Sequence, residues 1–545
     1  MSELEAARRK KLQSEAVANE TITEALFSTA RAAIPLTRIS PRTPSPKHPK
    51  KARSMSASPL YVIHPPASMD GGAGAGGSAL PPPPAAAAAA PSPVGLAPVR
   101  ASLAAQRTRN PIRAIVDNIA AAGAAGAAGA AGAALSRIPL SLGDPTLFGN
   151  FAAPRVLVAA VQGALASAQS NGYVHSAGPA EARRAVAARA AAALEAQPAL
   201  ERRGGLARPA LGEDDVVVAC GCSGALDLAI SALLNPGDVL LLPQPGFPLY
   251  ETLCSSKGVV VRHYLLDPAR GWDVDLADLR AKAPGATALL VNNPSNPCGS
   301  VYSREHLAAV LAVAELHALP VIADEIYENL CFPPHRFVPM ASLCPGVPVL
   351  SAGGIAKEML VPGWRVGWVI AHDTPGRHLA EVRRGLFALS QLVLGANSLV
   401  LAALPAVLAP TPGSADEREL ADFSRSTVAQ LAANAAFSAE RLARVPGLSV
   451  SAPQGAMYLM LGLDAVRFGV RDDVDFSQQL LAQTNVFVLP GACFGAKDFV
   501  RIVFCAPREL LAEAYDRIDG FCAARAAEVA AKAKKAEAEA GAAGS

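Results

Sequence analysis

Apolar residues are unevenly spread along this chain. Between Asp215 and Gly354 they gather into runs of strand length: "DVVVAC", "DVLLLP", "ALLVNN", "PVIADE" and "VPVLSAGG". Between some of these lie longer stretches, "GALDLAISALL" and "SREHLAAVLAVAELHA", whose apolar positions recur at helical spacing. Continuously apolar strands have no face to offer water, so their alternation with helices predicts an α/β fold on a mostly parallel sheet covered on both sides. Beyond Ala380 the pattern turns helix-rich, and "LSVSAPQGAMYLML" and "FVRIVF" read as antiparallel strands. A smaller α+β domain is therefore expected to follow the large one.

Residues 1–107 lack such periodicity. They are Pro/Ser/Lys-rich and then run into "GGAGAGGSALPPPPAAAAAAPSP", where glycine loses too much entropy on ordering and the proline run favours an extended coil; this extension is predicted to be disordered. Residues 108–152 read as an N-terminal arm belonging with the small domain, interrupted at 120–134 by "AAAGAAGAAGAAGAA". Glycine at every third position without proline is not collagen-like, so the insert reads as an expanded loop. The large domain is expected over 153–385 and the small one over 386–525. A flexible charged tail, a frayed helix at its start, is expected over 526–545.

Composition narrows the classes. Hydrophobic residues make up 51% of the 545, enough for a large core, while the formal net charge of +3 gives no basic face for nucleic acid. The basic run "KHPKKAR" reads as solvated. Nine cysteines, an odd number with no C-x-x-C and no histidine at zinc spacing, exclude a metal framework and suggest reduced thiols inside a cell. No run reaches the ~18 apolar residues a bilayer span needs. Glu3 and Glu5 argue against a secretory leader; the expected compartment is the cytoplasm, with organelle targeting left open by the acid-free "LFSTARAAIPLTRISPR".

Candidate chemistry sits at the carboxyl ends of the strands, where parallel sheets bind ligands. After "DVVVA" comes "CGCSGALD": Gly221 permits a tight turn, and the N–H groups of Cys222, Ser223 and Gly224 at a helix start can face an anion, although alone the motif reads first as a plain serine-capped turn. After "ALLV" comes "NNPSNPCG", which turn punctuation alone would explain. After "PVIA" comes Asp324, a strand-end carboxylate that should meet a cation, as in a plain buried salt bridge. After "PVLS" comes "AGGIAKEMLVPGWRVGW", with Lys357 among small residues and Arg365 eight positions on. Alone, Lys357 would pass for a surface lysine.

Together the four loops suit a ligand with a phosphate, a protonatable ring nitrogen and an aldehyde, which is pyridoxal 5'-phosphate. In "NNPSNPCGSVYS", "ADEIYE", "GGIAKEMLVPGWRVGW" and "PQGAMYLM", in this order, the chain resembles the fold-type I aminotransferases, most closely the tyrosine aminotransferase branch, from about Arg109 to Cys522. The resemblance implies a large pyridoxal-phosphate-dependent transferase domain with a mixed, mostly parallel sheet. It implies that Lys357 holds the cofactor as a Schiff base and then moves the substrate α-proton, which needs an unprotonated amine. Asp324 would pair with the pyridine nitrogen, and Tyr327 and Asn296 would donate to the phenolate oxygen.

By the same resemblance Arg365 binds phosphate with Cys222, Ser223 and Gly224, and Phe247 stacks on the ring, unless it is a core phenylalanine. Arg501 clamps the substrate α-carboxylate, unless it is an ordinary strand-edge arginine. Gly143 lies on an arm that closes over substrate, with Arg113 a weaker candidate nearby. Tyr173 reaches the partner subunit's phosphate, making the active unit a homodimer. No metal, nucleic acid or membrane is implied.

Three departures from the family pattern stand out. Gly354 occupies a position where many members carry a phosphate-binding hydroxyl, so Ser223 and backbone amides must supply more, or Ser351 reaches in. "ALSQLVLGANS" (388–398) has no basic residue for a second substrate carboxylate. The Ala/Gly insert lies near the site entrance. The expected activity is transamination of an aromatic amino acid, tyrosine, with a 2-oxo acid as acceptor, by a ping-pong mechanism. Alternatives of the same fold are alanine or nicotianamine transamination or a carbon–sulfur lyase. An inactive scaffold sets aside the intact lysine, and a dinucleotide-binding protein lacks its G-x-G-x-x-G loop.

Overall fold

The computed structural model describes residues 100–115, 135–197, 210–343, 346–374 and 378–543. The readings for 1–99 and for the insert at 120–134 lie outside the described residues, all of which fall in the unit Ala97–Ser545. In chain order the strands are β1 (Ile138–Pro139), β2 (Val216–Cys220), β3 (Val239–Gln244), β4 (Val260–Asp267), β5 (Asp273–Val274), β6 (Ala288–Asn292) and β7 (Val321–Asp324). There follow β8 (Val349–Gly354), β9 (Val366–His372), β10 (Leu448–Val450), β11 (Tyr458–Leu463), β12 (Val486–Phe487), β13 (Leu489–Pro490) and β14 (Phe499–Val503).

The five apolar runs become β2, β3, β6, β7 and β8, in an eight-stranded sheet of order β2-β9-β8-β7-β6-β3-β4-β5. Strands β8, β7, β6, β3 and β4 run parallel, while β9 is antiparallel to both its neighbours and β5 to β4. This is the mixed, mostly parallel sheet expected. Every residue of β6, β7 and β8 is buried, which is why their sequences are apolar without alternation. Strands β4 and β9 join them although neither stands out as an apolar run: β4 is broken by Arg262 and His263, and β9 begins inside the "PGWRVGW" turn.

The C-terminal strands form a second sheet, β10-β11-β14-β13, antiparallel throughout, with Met460 opposite Arg501. The arm is tied to the C-terminal half through β1, which pairs with β12. Two boundaries differ from expectation. Residues 103–107, placed in the disordered extension, form a short helix (Leu103–Arg107) because Ser102 Oγ accepts from the Ala105 amide and so satisfies an end of it. The charged tail does not fray after Cys522: one helix runs from Arg508 to Ala543. Alanine, lysine and glutamate favour helix intrinsically, and Arg525–Glu528 and Lys535–Glu539 pair along its side. Among the described residues no helix is long and apolar enough to cross a membrane.

Candidate active site

The carboxyl ends of β2, β7 and β8 converge on one cleft. At β2 the chain turns through Gly221, whose φ of +73° suits glycine, straight into the helix Gly221–Leu233. The first helical N–H groups, those of Cys222, Ser223 and Gly224 among them, have no acceptor within the helix. The Arg365 guanidinium lies across this turn: Nη2 donates to the Cys220 carbonyl at 3.3 Å and Nη1 to Pro362 at 2.9 Å. A Cβ on Gly221 would lie 2.6 Å from Arg365 Nη2, and one on Gly367 would collide with the Cys222 amide. Glycine here keeps a cradle of donors open.

The same packing explains Gly354. A Cβ there would come within 2.8 Å of Gly367 Cα and the Val366 carbonyl, so a hydroxyl-bearing residue has no room. Nor does Ser351 take its place. Its hydroxyl lies 2.8 Å from His372 Nε2 and borders a cavity of about 50 Å³ that Glu325 also lines. The suggestion that Ser351 reaches into the site is corrected accordingly; Ser223 and the backbone amides are what the turn provides.

Asp324, at the end of β7, is buried, and its partners are not cations. Its Oδ2 accepts from Tyr250 Oη at 2.6 Å; Oδ1 accepts from the Ile326 amide at 3.3 Å and from Cys222 Sγ at 3.5 Å. The expected salt bridge is therefore absent among the described residues. Three neutral donors take its place. Burial pushes the Asp324 carboxyl up, and the Tyr250, Ile326 and Cys222 hydrogen bonds pull the other way. Phe247 is half-buried beside this group, its ring edge-on to Tyr250 with centroids 5.7 Å apart.

On the other side of the cleft Lys357 Nζ donates to the Gly143 carbonyl at 2.5 Å and lies 6.0 Å from the centre of the Tyr327 ring. Tyr327 Oη is 2.6 Å from Tyr458 Oη. A Cβ on Gly143 would collide with that same Tyr458 hydroxyl. Arg501, on β14, is 3% exposed. Its guanidinium is sandwiched between the rings of Tyr458 and Phe494, at 4.5 and 4.6 Å from their centres. Nη1 donates to Asn296 Oδ1 (2.9 Å) and Nη2 to the Ser141 carbonyl (2.8 Å), while Nε has no partner. Burial pulls the guanidinium down from its ordinary value.

Lys357, Asp324, Tyr327, Asn296, Arg501, Gly143, Phe247, Arg365 and the Cys222–Gly224 turn are thus linked by contacts around one cleft. Tyr173 and Arg113 are not among them: Tyr173 is 95% exposed and Arg113 is exposed on the arm. The residues that sequence reasoning missed are Tyr250, Tyr458 and Phe494. Tyr458 stands in the quoted "PQGAMYLM"; Tyr250 comes three residues after Phe247, one helical turn, and that spacing was its only signal.

A model of the aminotransferase class I and II family matches residues 136–518. The chain is 41% identical over 426 residues to a tyrosine aminotransferase of Homo sapiens, covering 78% of this chain and 87% of that one. Among solved structures, a tyrosine aminotransferase from Leishmania infantum aligns with a TM-score of 0.69 at 33% identity, covering 78% of this chain and 98% of that one. An alanine aminotransferase from Pyrococcus furiosus aligns with a TM-score of 0.68 at 29% identity, covering 78% and 99%.

Proposed function

The chain belongs to the class I and II aminotransferases, and from that premise we propose that it moves the amino group of an aromatic amino acid, tyrosine above all, to a 2-oxo acid. Its cofactor is pyridoxal 5'-phosphate. The residues present fit that molecule. Asp324 is a buried carboxylate held by neutral donors, which leaves its charge for a cationic ring nitrogen. The turn at Gly221, kept clear of side chains and flanked by Arg365, offers helix N–H groups and a guanidinium to a phosphate. When bound, pyridoxal phosphate supplies an aldehyde carbon to receive the amino group and a ring that withdraws electrons from the reacting carbon.

Each side chain then has a task. Lys357 Nζ, when unprotonated, takes the proton from the substrate Cα and returns it at the end of the half-reaction. Asp324 holds a proton on the ring nitrogen. Asn296 spends Oδ1 on Arg501, which leaves its amide N–H₂ free to donate to the phenolate oxygen, and Tyr327 donates there while accepting from Tyr458. Phe247 would lie against the ring. The Ser141–Gly143 arm, tied to Arg501 and to Lys357, closes the cleft and excludes water.

One observation carries the reading: Arg501 is a buried cation whose partners are all neutral. A buried charge left without a counter-ion is costly, and a bound substrate carboxylate would supply one in fork-to-fork geometry. Tyrosine is supported by the 41% identity to the human enzyme. The segment 388–398, with no basic residue, also favours a substrate without a second carboxylate. The acceptor oxo acid would use the same Arg501 in the second half-reaction.

The active unit is a homodimer in this reading. Tyr173 projects into solvent, and Leu392, Val393 and Leu394 are 79, 68 and 57% exposed; such apolar groups suit a partner subunit. The eight described cysteines are free thiols, which supports a cytoplasmic location. The deciding experiment is the visible spectrum of the cofactor-loaded protein before and after L-tyrosine without acceptor. Bleaching stoichiometric with hydroxyphenylpyruvate is expected. A coloured protein that ignores tyrosine but responds to alanine, or that releases ammonia, overturns the substrate assignment.

A further inference from the structure

Behind the cleft, on the helix Ala180–Glu195, Arg189 reaches toward the same strand ends from the opposite side. Its Nη2 lies 2.8 Å from both carboxylate oxygens of Glu358 and 3.3 Å from Glu328 Oε1. The three side chains are largely withdrawn from water, at 21, 14 and 29% exposure for Arg189, Glu358 and Glu328. Both acids are immediate chain neighbours of site residues: Glu358 follows Lys357, and Glu328 follows Tyr327. Successive side chains on a helix diverge by about 100°. Lys357 can therefore meet Gly143 in the cleft while Glu358 points back at Arg189.

We propose that Arg189 is a positioning residue for the transamination: by gripping Glu358 and Glu328 with one guanidinium, it fixes the two short segments that present Lys357 and Tyr327. Neither segment is self-supporting. The helix carrying Lys357 is one turn, Ile355–Glu358, with no side-chain cap, and a single turn is unfavourable by itself. The turn carrying Tyr327 is held by the local bonds Glu328 N–H to Glu325 and Leu330 N–H to Tyr327. The Arg189 cluster adds a tie from outside both. Asn329 Nδ2 also donates to Glu328, and Glu325 and His372 line the small cavity alongside.

The charges support the grip. Burial alone would weaken the guanidinium, yet Glu358 and Glu328 outweigh it and hold Arg189 above its ordinary value. Burial pushes Glu328 up, and Arg189 opposes that. With all three ionised the cluster carries one net negative charge behind Lys357.

This inference rests on Lys357 and Tyr327 being the cofactor residues proposed above. Arg189→Met should lower kcat about 100-fold, the cost of a small misplacement of reacting groups, with KM for tyrosine little changed. Because it strands two buried acids, a companion variant, Arg189→Met with Glu328→Gln and Glu358→Gln, removes all three charges and should share the loss. A second readout is the pH at which the visible band of the loaded enzyme changes. Arg189→Met removes a positive charge and should move that pH up; Glu358→Gln removes a negative one and should move it down. General loosening would shift both alike. Shifts of the same sign, or wild-type kcat in the triple variant, overturn the inference. A visible band that survives in Lys357→Ala would instead remove the cofactor assignment, whatever Arg189 does.

Discussion

Two groups of buried charges face away from each other across the same strand ends. In the cleft, Asp324 is surrounded by a phenol, an amide and a thiol, and Arg501 by an amide oxygen, a carbonyl and two rings. Behind the cleft, Arg189 is bonded to Glu358 and Glu328. The rear charges meet opposite charges within the chain; the front ones do not. A protein tolerates an unpaired buried charge at a cost, and two of opposite sign on one cleft suit ligand groups that are cationic toward Asp324 and anionic toward Arg501. Alternation along the chain makes the division possible, since Tyr327/Glu328 and Lys357/Glu358 each send neighbours to opposite sides.

Substitutions in front should act on chemistry and binding. The largest effect is expected for Lys357→Ala: removing the amine placed to move the substrate proton should cut turnover on the order of 10⁴-fold, read by the hydroxyphenylpyruvate formed in a single turnover. Retained turnover would break the comparison at its centre. Arg501→Ala comes next. Loss of the carboxylate's partner should cost about 3 kcal/mol, roughly 100-fold in kcat/KM, while the visible cofactor band stays unchanged. An unchanged KM for tyrosine would mean that the uncompensated guanidinium serves something other than substrate. Arg501→Lys should recover little, because an ammonium cannot reproduce the planar fork between Tyr458 and Phe494.

Much of the front was legible in the sequence because it sits on local signals. Asp324 ends an apolar strand and Gly221 and Lys357 follow one within three residues, and a strand end in a parallel sheet is where polar residues acquire ligands. What was not legible depends on contacts between distant segments. A plain salt bridge was one reading of Asp324, because burial alone predicts one; that Tyr250, 74 positions away, supplies a phenol is a fact of packing. Arg189 sits on an alanine-rich amphipathic helix and looks like any surface arginine until Glu358, 169 positions on, is seen against it. Strand β4 was passed over because Arg262 and His263 interrupt its apolar run, and β9 because it begins inside the turn that follows Arg365.

Gly354 sharpens the comparison at a smaller scale. Gly354→Ser would restore the hydroxyl that other members use, and a view based on chemistry alone expects tighter phosphate binding. The packing predicts the reverse. The new Cβ meets backbone at 2.8 Å, which cannot swing aside as a side chain could. A loss of about 1–3 kcal/mol of stability is expected, with weaker retention of cofactor, read from melting temperatures with and without pyridoxal phosphate. Tighter binding in the variant would show that the turn has slack.

The smallest effect on turnover, and the one that separates the two faces most directly, is expected for Glu325→Gln. Glu325 follows Asp324 but points to the rear cavity, where its Oε1 accepts from the Met340 amide. Burial pushes its carboxyl from 4.5 up to about 8, helped by Glu328 and Asp324 and opposed by the Met340 hydrogen bond. The folded protein therefore keeps this proton through neutrality, while the unfolded chain releases it near pH 4.5. Between those values the native state binds more protons, so stability must fall as pH rises. Glutamine keeps the acceptor for Met340 and cannot ionise. The variant should lose less stability than the wild type between pH 5 and pH 8, by about 2–4 kcal/mol, with kcat near that of the wild type. Parallel melting curves for the two proteins across that range would mean Glu325 is already ionised in the fold. The rear face would then carry three carboxylates against the one guanidinium of Arg189.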